Sequence, residues 1–132
     1  MFALKHRMTP QELRTRIDRL ADQVITLCRS TAPEPLTLRL LVQLQDAATS
    51  AAANYTSACR AQSKAAFVAK LSIALEEADE AVGWLQRLSN HGIGDAAAVA
   101  KLPQEAGEIS AILNASRQTA SGRRRRLRKR SL

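Results

Sequence analysis

From Leu13 to Leu27 the residues Leu13, Ile17, Leu20, Val24 and Leu27 return at intervals of four, three, four and three. A helix with 3.6 residues per turn gathers such positions into one stripe, leaving Arg14, Arg16, Asp18, Arg19, Asp22 and Gln23 outside it. The same period recurs further along the chain, and nowhere do Val, Ile, Thr and aromatic residues alternate over a strand length. Ala, Leu, Arg, Gln and Glu dominate, and these are good helix formers. A chain of 132 residues is long enough for one domain with a single core. The expected fold class is therefore all-α.

Local signals set the boundaries. Thr9-Pro10-Gln11-Glu12 has the pattern of a capping box with proline at the first helical position, so the first helix is predicted from Pro10 to Arg29. Ala32-Pro33-Glu34-Pro35 breaks it. A second helix is expected from about Leu36, with Leu40, Leu41, Leu44, Ala47, Ala48, Ala51, Ala52 and Tyr55 on its buried side. Its second half is almost all Ala and Ser, which lets a neighbouring backbone approach closely. The chain turns at Arg60-Ala61-Gln62-Ser63, and Ser63 can cap a third helix. The stripe of that helix is Phe67, Leu71, Ala74, Leu75, Ala78, Val82, Leu85 and Leu88. Ser89-Asn90-His91-Gly92-Ile93-Gly94 is rich in stop signals. Asp95 can cap a short turn through Val99, Pro103 predicts a kink or a restart, and Leu102, Ala106, Ile109, Ile112 and Leu113 carry the last stripe. Gly122 is the expected stop.

Four amphipathic helices on short connections predict an antiparallel up-down-up-down four-helix bundle. The expected divisions are a flexible leader at 1–8, the bundle at 9–120 and a basic C-terminal tail at 121–132. No stretch of 18 apolar residues occurs, so no membrane span is expected, and the start of the chain does not resemble a secretion signal. The cytoplasm is the expected location.

The net charge of +8 is concentrated at one end. Arg123, Arg124, Arg125, Arg126, Arg128, Lys129 and Arg130 are seven of the 20 basic residues, and residues 1–120 are left with a net charge of +1. Such a run matches the phosphate backbone of RNA or DNA. With no aromatic beside it to stack on bases, its binding is expected to be weakly sequence-specific. Arg60, Lys64 and Lys70 form a second, smaller basic group. The alternatives are a solvated tail, an acidic protein partner, and a surface of anionic lipid.

Glu76, Glu77, Asp79 and Glu80 raise the question of a dimetal site. That chemistry needs Glu-x-x-His on two helices, and the sequence has none; its histidines, His6 and His91, fall in the leader and in a loop. No helical histidine stands ready to activate a nucleophile, and the glycines form no phosphate loop. No metal, cofactor or enzymatic activity is expected. Cys28 and Cys59, without Cys-x-x-Cys spacing, are read as reduced, buried, small apolar residues.

The stretch from Ala53 to Leu85 holds the sole Tyr and the sole Trp. Ala53-Asn54-Tyr55, Ala58-Cys59-Arg60-Ala61, Ser63, Phe67, Lys70-Leu71, Glu76-Glu77-Ala78-Asp79-Glu80 and Trp84-Leu85 closely resemble the bacterial four helix bundle protein family. Its first members were read from intervening sequences in 23S ribosomal RNA genes. The resemblance extends more loosely over residues 8–118. Ala66, where the family commonly has an acid, and Pro103 depart from it. It implies a homopentamer in a ring or barrel. A related group, the accessory variability proteins of diversity-generating retroelements, implies binding to nucleic acid and to a reverse transcriptase. By this resemblance Asn54, Tyr55, Arg60, Phe67, Glu77, Glu80 and Trp84 are interface or structural residues, and Glu77 could face Arg60 of the same or an adjacent chain.

Overall fold

The computed structural model describes the backbone of residues 8–130 and the side chains of residues 8–122; the expected leader lies almost wholly outside the described residues. Four helices follow one another, α1 (Pro10–Arg29), α2 (Pro35–Cys59), α3 (Lys64–Asn90) and α4 (Ala96–Arg130), with no strand among the described residues. Consecutive helices pack side by side, and α1 closes the circuit against α4. With connections this short, the arrangement is antiparallel and up-down-up-down.

The helix ends follow from the residues at them. Glu12 donates its backbone N–H to Thr9 Oγ1 at 3.0 Å, and its carboxylate accepts the Thr9 N–H at 2.8 Å, which makes the capping box reciprocal. Ser63 Oγ accepts the Ala66 N–H at 3.0 Å and Asp95 Oδ2 accepts the Ala98 N–H at 3.0 Å. At the end of α3, Gly92 takes a φ of 64°, which glycine reaches without steric cost. That turn sends the Ile93 N–H back to the Leu88 carbonyl at 2.9 Å and the Gly92 N–H to the Ser89 carbonyl at 3.2 Å. Two otherwise orphaned carbonyls are thereby satisfied, in the manner of a Schellman motif.

The core is one cluster running the length of the bundle, from Leu13, Ile17 and Leu20 on α1 to Ile109 and Leu113 on α4. Each buried Leu or Ile contributes about 1.5–3 kcal/mol relative to solvent. Between α2 and α3 the filling is smaller: Ala47, Ala48, Ala51 and Ala58 are buried on one helix, and Ala74, Ala78 and Ala81 on the other. This pair shares the broadest contact in the molecule, and α1 with α4 the narrowest.

Three expectations are corrected. Pro103 does not restart a helix, because α4 continues through it. An interior proline costs about 3 kcal/mol, but Val99, Leu102, Ala106 and Ile109 are buried on both sides of it, and their combined burial outweighs one lost hydrogen bond. Gly122 does not stop α4, whose backbone runs on to Arg130. Cys59 is exposed rather than buried. Cys28 is half-buried against the core, where burial pushes its thiol up from the ordinary value.

Ala51 is only 1 % exposed. The substitution Ala51→Leu is therefore expected to overpack the α2 core face and lower unfolding free energy by about 1–3 kcal/mol, read from urea denaturation. Ala53→Leu, on the exposed side of the same helix, should change it little.

Candidate functional site

The helix lengths set the geometry of one end of the molecule. At about 1.5 Å per residue, α4 is roughly 12 Å longer than α3. The two run antiparallel from the Ser89–Asp95 connection, so the last turns of α4 extend beyond the start of α3. Those turns carry Arg123, Arg124, Arg125, Arg126, Arg128, Lys129 and Arg130, whose backbone is helical and whose side chains lie outside the described residues. The α2–α3 turn is at this same end. Arg60 caps the C-terminus of α2, where a cation meets the negative end of the helix dipole, and Lys64 is the first residue of α3; both are exposed. The topology thus brings Arg60 and Lys64 to the end from which the basic run emerges. Lys70 is exposed on α3 about 9 Å further along the helix.

The other singled-out residues divide between support and surface. Tyr55 is 4 % exposed and belongs to the core. Burial, and then Cys59 one turn away, push its phenol well above the ordinary value. Asn54 spends its amide inside α2, donating to the Ser50 carbonyl at 2.9 Å and to Ser50 Oγ at 3.2 Å. Phe67 and Trp84 are half-buried against the core. The Arg87 guanidinium lies 5.7 Å from the centre of the Trp84 ring, close enough for cation–π attraction.

Glu77 and Glu80 sit one turn apart on α3. A hydrogen bond with Glu77, and then repulsion from its charge, raise the Glu80 carboxyl above its ordinary value. No ion pair joins Glu77 to Arg60 among the described residues. Asp79 accepts a hydrogen bond from the Ser110 hydroxyl, tying α3 to α4. His91 caps the C-terminus of α3 and is exposed. No group of three or more His, Cys, Asp or Glu capable of holding a metal occurs among the described residues.

One cluster is absent from the sequence reading. Arg16 on α1 forks onto Glu105 of α4, with Nε 2.7 Å from Oε2 and Nη2 2.7 Å from Oε1. Nη2 also donates to Glu108 Oε1 at 2.6 Å. Hydrogen bonding to Glu105 holds the guanidinium still more firmly protonated than usual. The signal was there: Arg16 precedes Ile17 at the edge of the α1 stripe, and Glu105 and Glu108 flank Ala106 and Ile109 in the same way. The clamp spans the narrowest helix contact, so its role is to fasten α1 to α4. Among the described residues, no helix is long and apolar enough to cross a membrane.

Comparison with known proteins agrees with this architecture. The sequence profile of a family described as 23S rRNA-intervening sequence protein matches residues 12–115. A solved structure from Bacteroides thetaiotaomicron VPI-5482, described as a protein with unknown function from the S23 ribosomal protein family, superposes with a TM-score of 0.74. It is 25% identical in sequence, and the match covers 84% of this chain and 99% of that one. No curated protein matches.

Replacing Arg16 by Ala is expected to cost about 1–2 kcal/mol, the range for charge-assisted hydrogen bonds at a partly exposed site. Arg16→Lys should recover less than half of that, because an ammonium cannot reproduce the fork. Urea unfolding of the variants measures both, and equal stability of the Ala variant would remove the clamp from the account.

Proposed function

The chain belongs to the 23S rRNA-intervening sequence protein family, and on that premise we propose a non-enzymatic, oligomeric protein that binds RNA or DNA through phosphate contacts. The observation that carries this reading is the segregation of charge. Seven cations occupy the last turns of α4, while residues 1–120 are almost neutral. Arg60 and Lys64 at the same end, with Lys70 further along α3, widen the basic surface. A cationic run of this kind neutralises phosphates and releases counterions without reading bases.

The oligomer in this proposal is a homopentamer, by resemblance to the family. Its support in the fold is a set of apolar side chains that the single bundle leaves exposed. Leu38 and Val42, one turn apart on α2, are each 47% exposed, and Ile73 on α3 is 41% exposed. Packing between copies would remove such side chains from water at about 25 cal/mol per Å². Several basic ends on one assembly would also act together, since the first contact raises the effective concentration for the next. The acids of α3, Glu77 and Glu80 among them, are available to cations of a neighbouring copy. The setting in this proposal is the cytoplasm.

Two measurements test the reading. Binding of the full chain to a duplex should weaken with salt, with a log–log slope of about −6 per chain if all seven cations engage phosphates. Deletion of Arg123–Leu132 should abolish most of that binding; unchanged affinity would sink the role of the basic run. Light scattering at micromolar concentration should give about five times the 14.4 kDa chain mass, whereas a monomer would contradict the assembly. A full chain that ignores nucleic acid but retains one protein partner, such as a reverse transcriptase, would favour an accessory-subunit role instead.

A further inference from the structure

At the end of the bundle opposite the basic run, the α1–α2 and α3–α4 connections meet around an open cavity of about 560 Å³. Ser30, Thr31, Glu34, Thr37 and Asp95 line it together with the backbone around Gly92–Gly94, and no basic side chain does. The accounting of its hydrogen bonds is lopsided. Ser30 Oγ donates to the Leu27 carbonyl at 3.1 Å, and Thr31 Oγ1 donates to the same carbonyl at 2.6 Å. Both hydroxyl protons are spent inside the protein, so both oxygens remain as acceptors. Asp95 uses Oδ2 to cap α4, which leaves its other oxygen. Glu34 stands at the N-cap of α2, yet its carboxylate makes no capping hydrogen bond.

Thr37 supplies an independent observation. It is only 8% exposed, and its hydroxyl has no hydrogen-bond partner among the described residues. No fully enclosed side-chain polar atom there lacks a partner, so this hydroxyl reaches open space, and the cavity is the space it lines. A hydroxyl oxygen that faces this space with no partner in the protein is free to accept a hydrogen bond from an occupant.

An occupant of this cavity must bring donors and positive charge. An anion would meet the dipoles of the α2 and α4 N-termini favourably, but it would lie against two carboxylates. Pro35, at the first position of α2, also offers it no N–H. A bare divalent cation needs several converging oxygens at about 2.0–2.6 Å, and two carboxylates in a wide cavity fall short of that set. We propose that the cavity binds a small organic ammonium ion, a linear diamine or polyamine. Its N–H groups would be taken by the Glu34 carboxylate, the free Asp95 oxygen and the Thr37 hydroxyl oxygen. This proposal stands apart from nucleic-acid binding, which uses the other end of the molecule.

The test is amide-shift mapping by NMR on the full chain, titrated with putrescine and with spermidine at constant ionic strength. Perturbations should concentrate on Ser30, Thr31, Thr37 and Gly92–Asp95. Glu34→Gln, at an exposed position that leaves the core untouched, should weaken binding about ten-fold or more, the scale of one charge-assisted contact. Thr37→Val should weaken it less. Perturbations centred on Glu76–Glu80 would assign the amines to the acidic face of α3 and overturn the proposal. So would the same response to sodium chloride, to magnesium chloride alone, or to inorganic phosphate, and so would an affinity unchanged by Glu34→Gln.

Discussion

The packing of α2 against α3 through alanine is the constraint on which the rest of the bundle depends. Ala47, Ala48, Ala51 and Ala58 are buried on α2 and Ala74, Ala78 and Ala81 on α3, and side chains this small let the two backbones approach closely. Close approach brings many small contacts into dispersion range, individually weak and collectively large. It also fixes where larger residues can go. Leu44, Leu71 and Leu85 are fully buried in the same core, and Tyr55 fits inside it with its phenol held neutral by burial. The opposite side of the bundle is joined differently. There α1 and α4 touch least, and Arg16 bridges them through Glu105 and Glu108. One seam is thus apolar and broad, the other narrow and ionic, and the stability of the second is the more sensitive to salt.

Much of this was legible in the sequence, because a helical period and its caps are local. The bounds of α1, the Ser63 cap and the turn at Gly92 follow from residues a few positions apart. The identities Asn54, Tyr55, Phe67 and Trp84 pointed to the family. What escaped depends on distant neighbours. Arg16 meets its partners 89 and 92 residues away; its place beside Ile17 marks it as a residue at the edge of the stripe, but only the fold names its partners. A restart at Pro103 was expected because a local rule gives the cost of an interior proline without the tertiary burial that offsets it. Cys59 looked buried by helical spacing, yet it is exposed in the last turn of α2, where its neighbour Ala58 takes the buried position. Leu38 and Val42 lay outside the predicted buried side of the second helix, and both are exposed.

The two ends of the bundle now carry opposite chemistry. At one end the backbone of α4 runs past the start of α3 through a segment with seven Arg and Lys residues, at the end that also carries Arg60 and Lys64. At the other, two carboxylates and three hydroxyls face a cavity without a basic side chain. The stretch from Ala53 to Leu85, with its aromatics, cysteine and acids, has the look of an active site in the sequence. In the fold it supplies packing anchors, an acidic face and the cations Arg60, Lys64 and Lys70, and the main part of the proposed contact with nucleic acid lies beyond it, on the last turns of α4.

The most direct test of that contact is to recover the untagged full chain from its native host under low salt and identify everything bound to it. The account predicts RNA or DNA of diverse sequence, released by nuclease or by high salt. Recovery of a single protein partner that resists nuclease, with no nucleic acid, would contradict it.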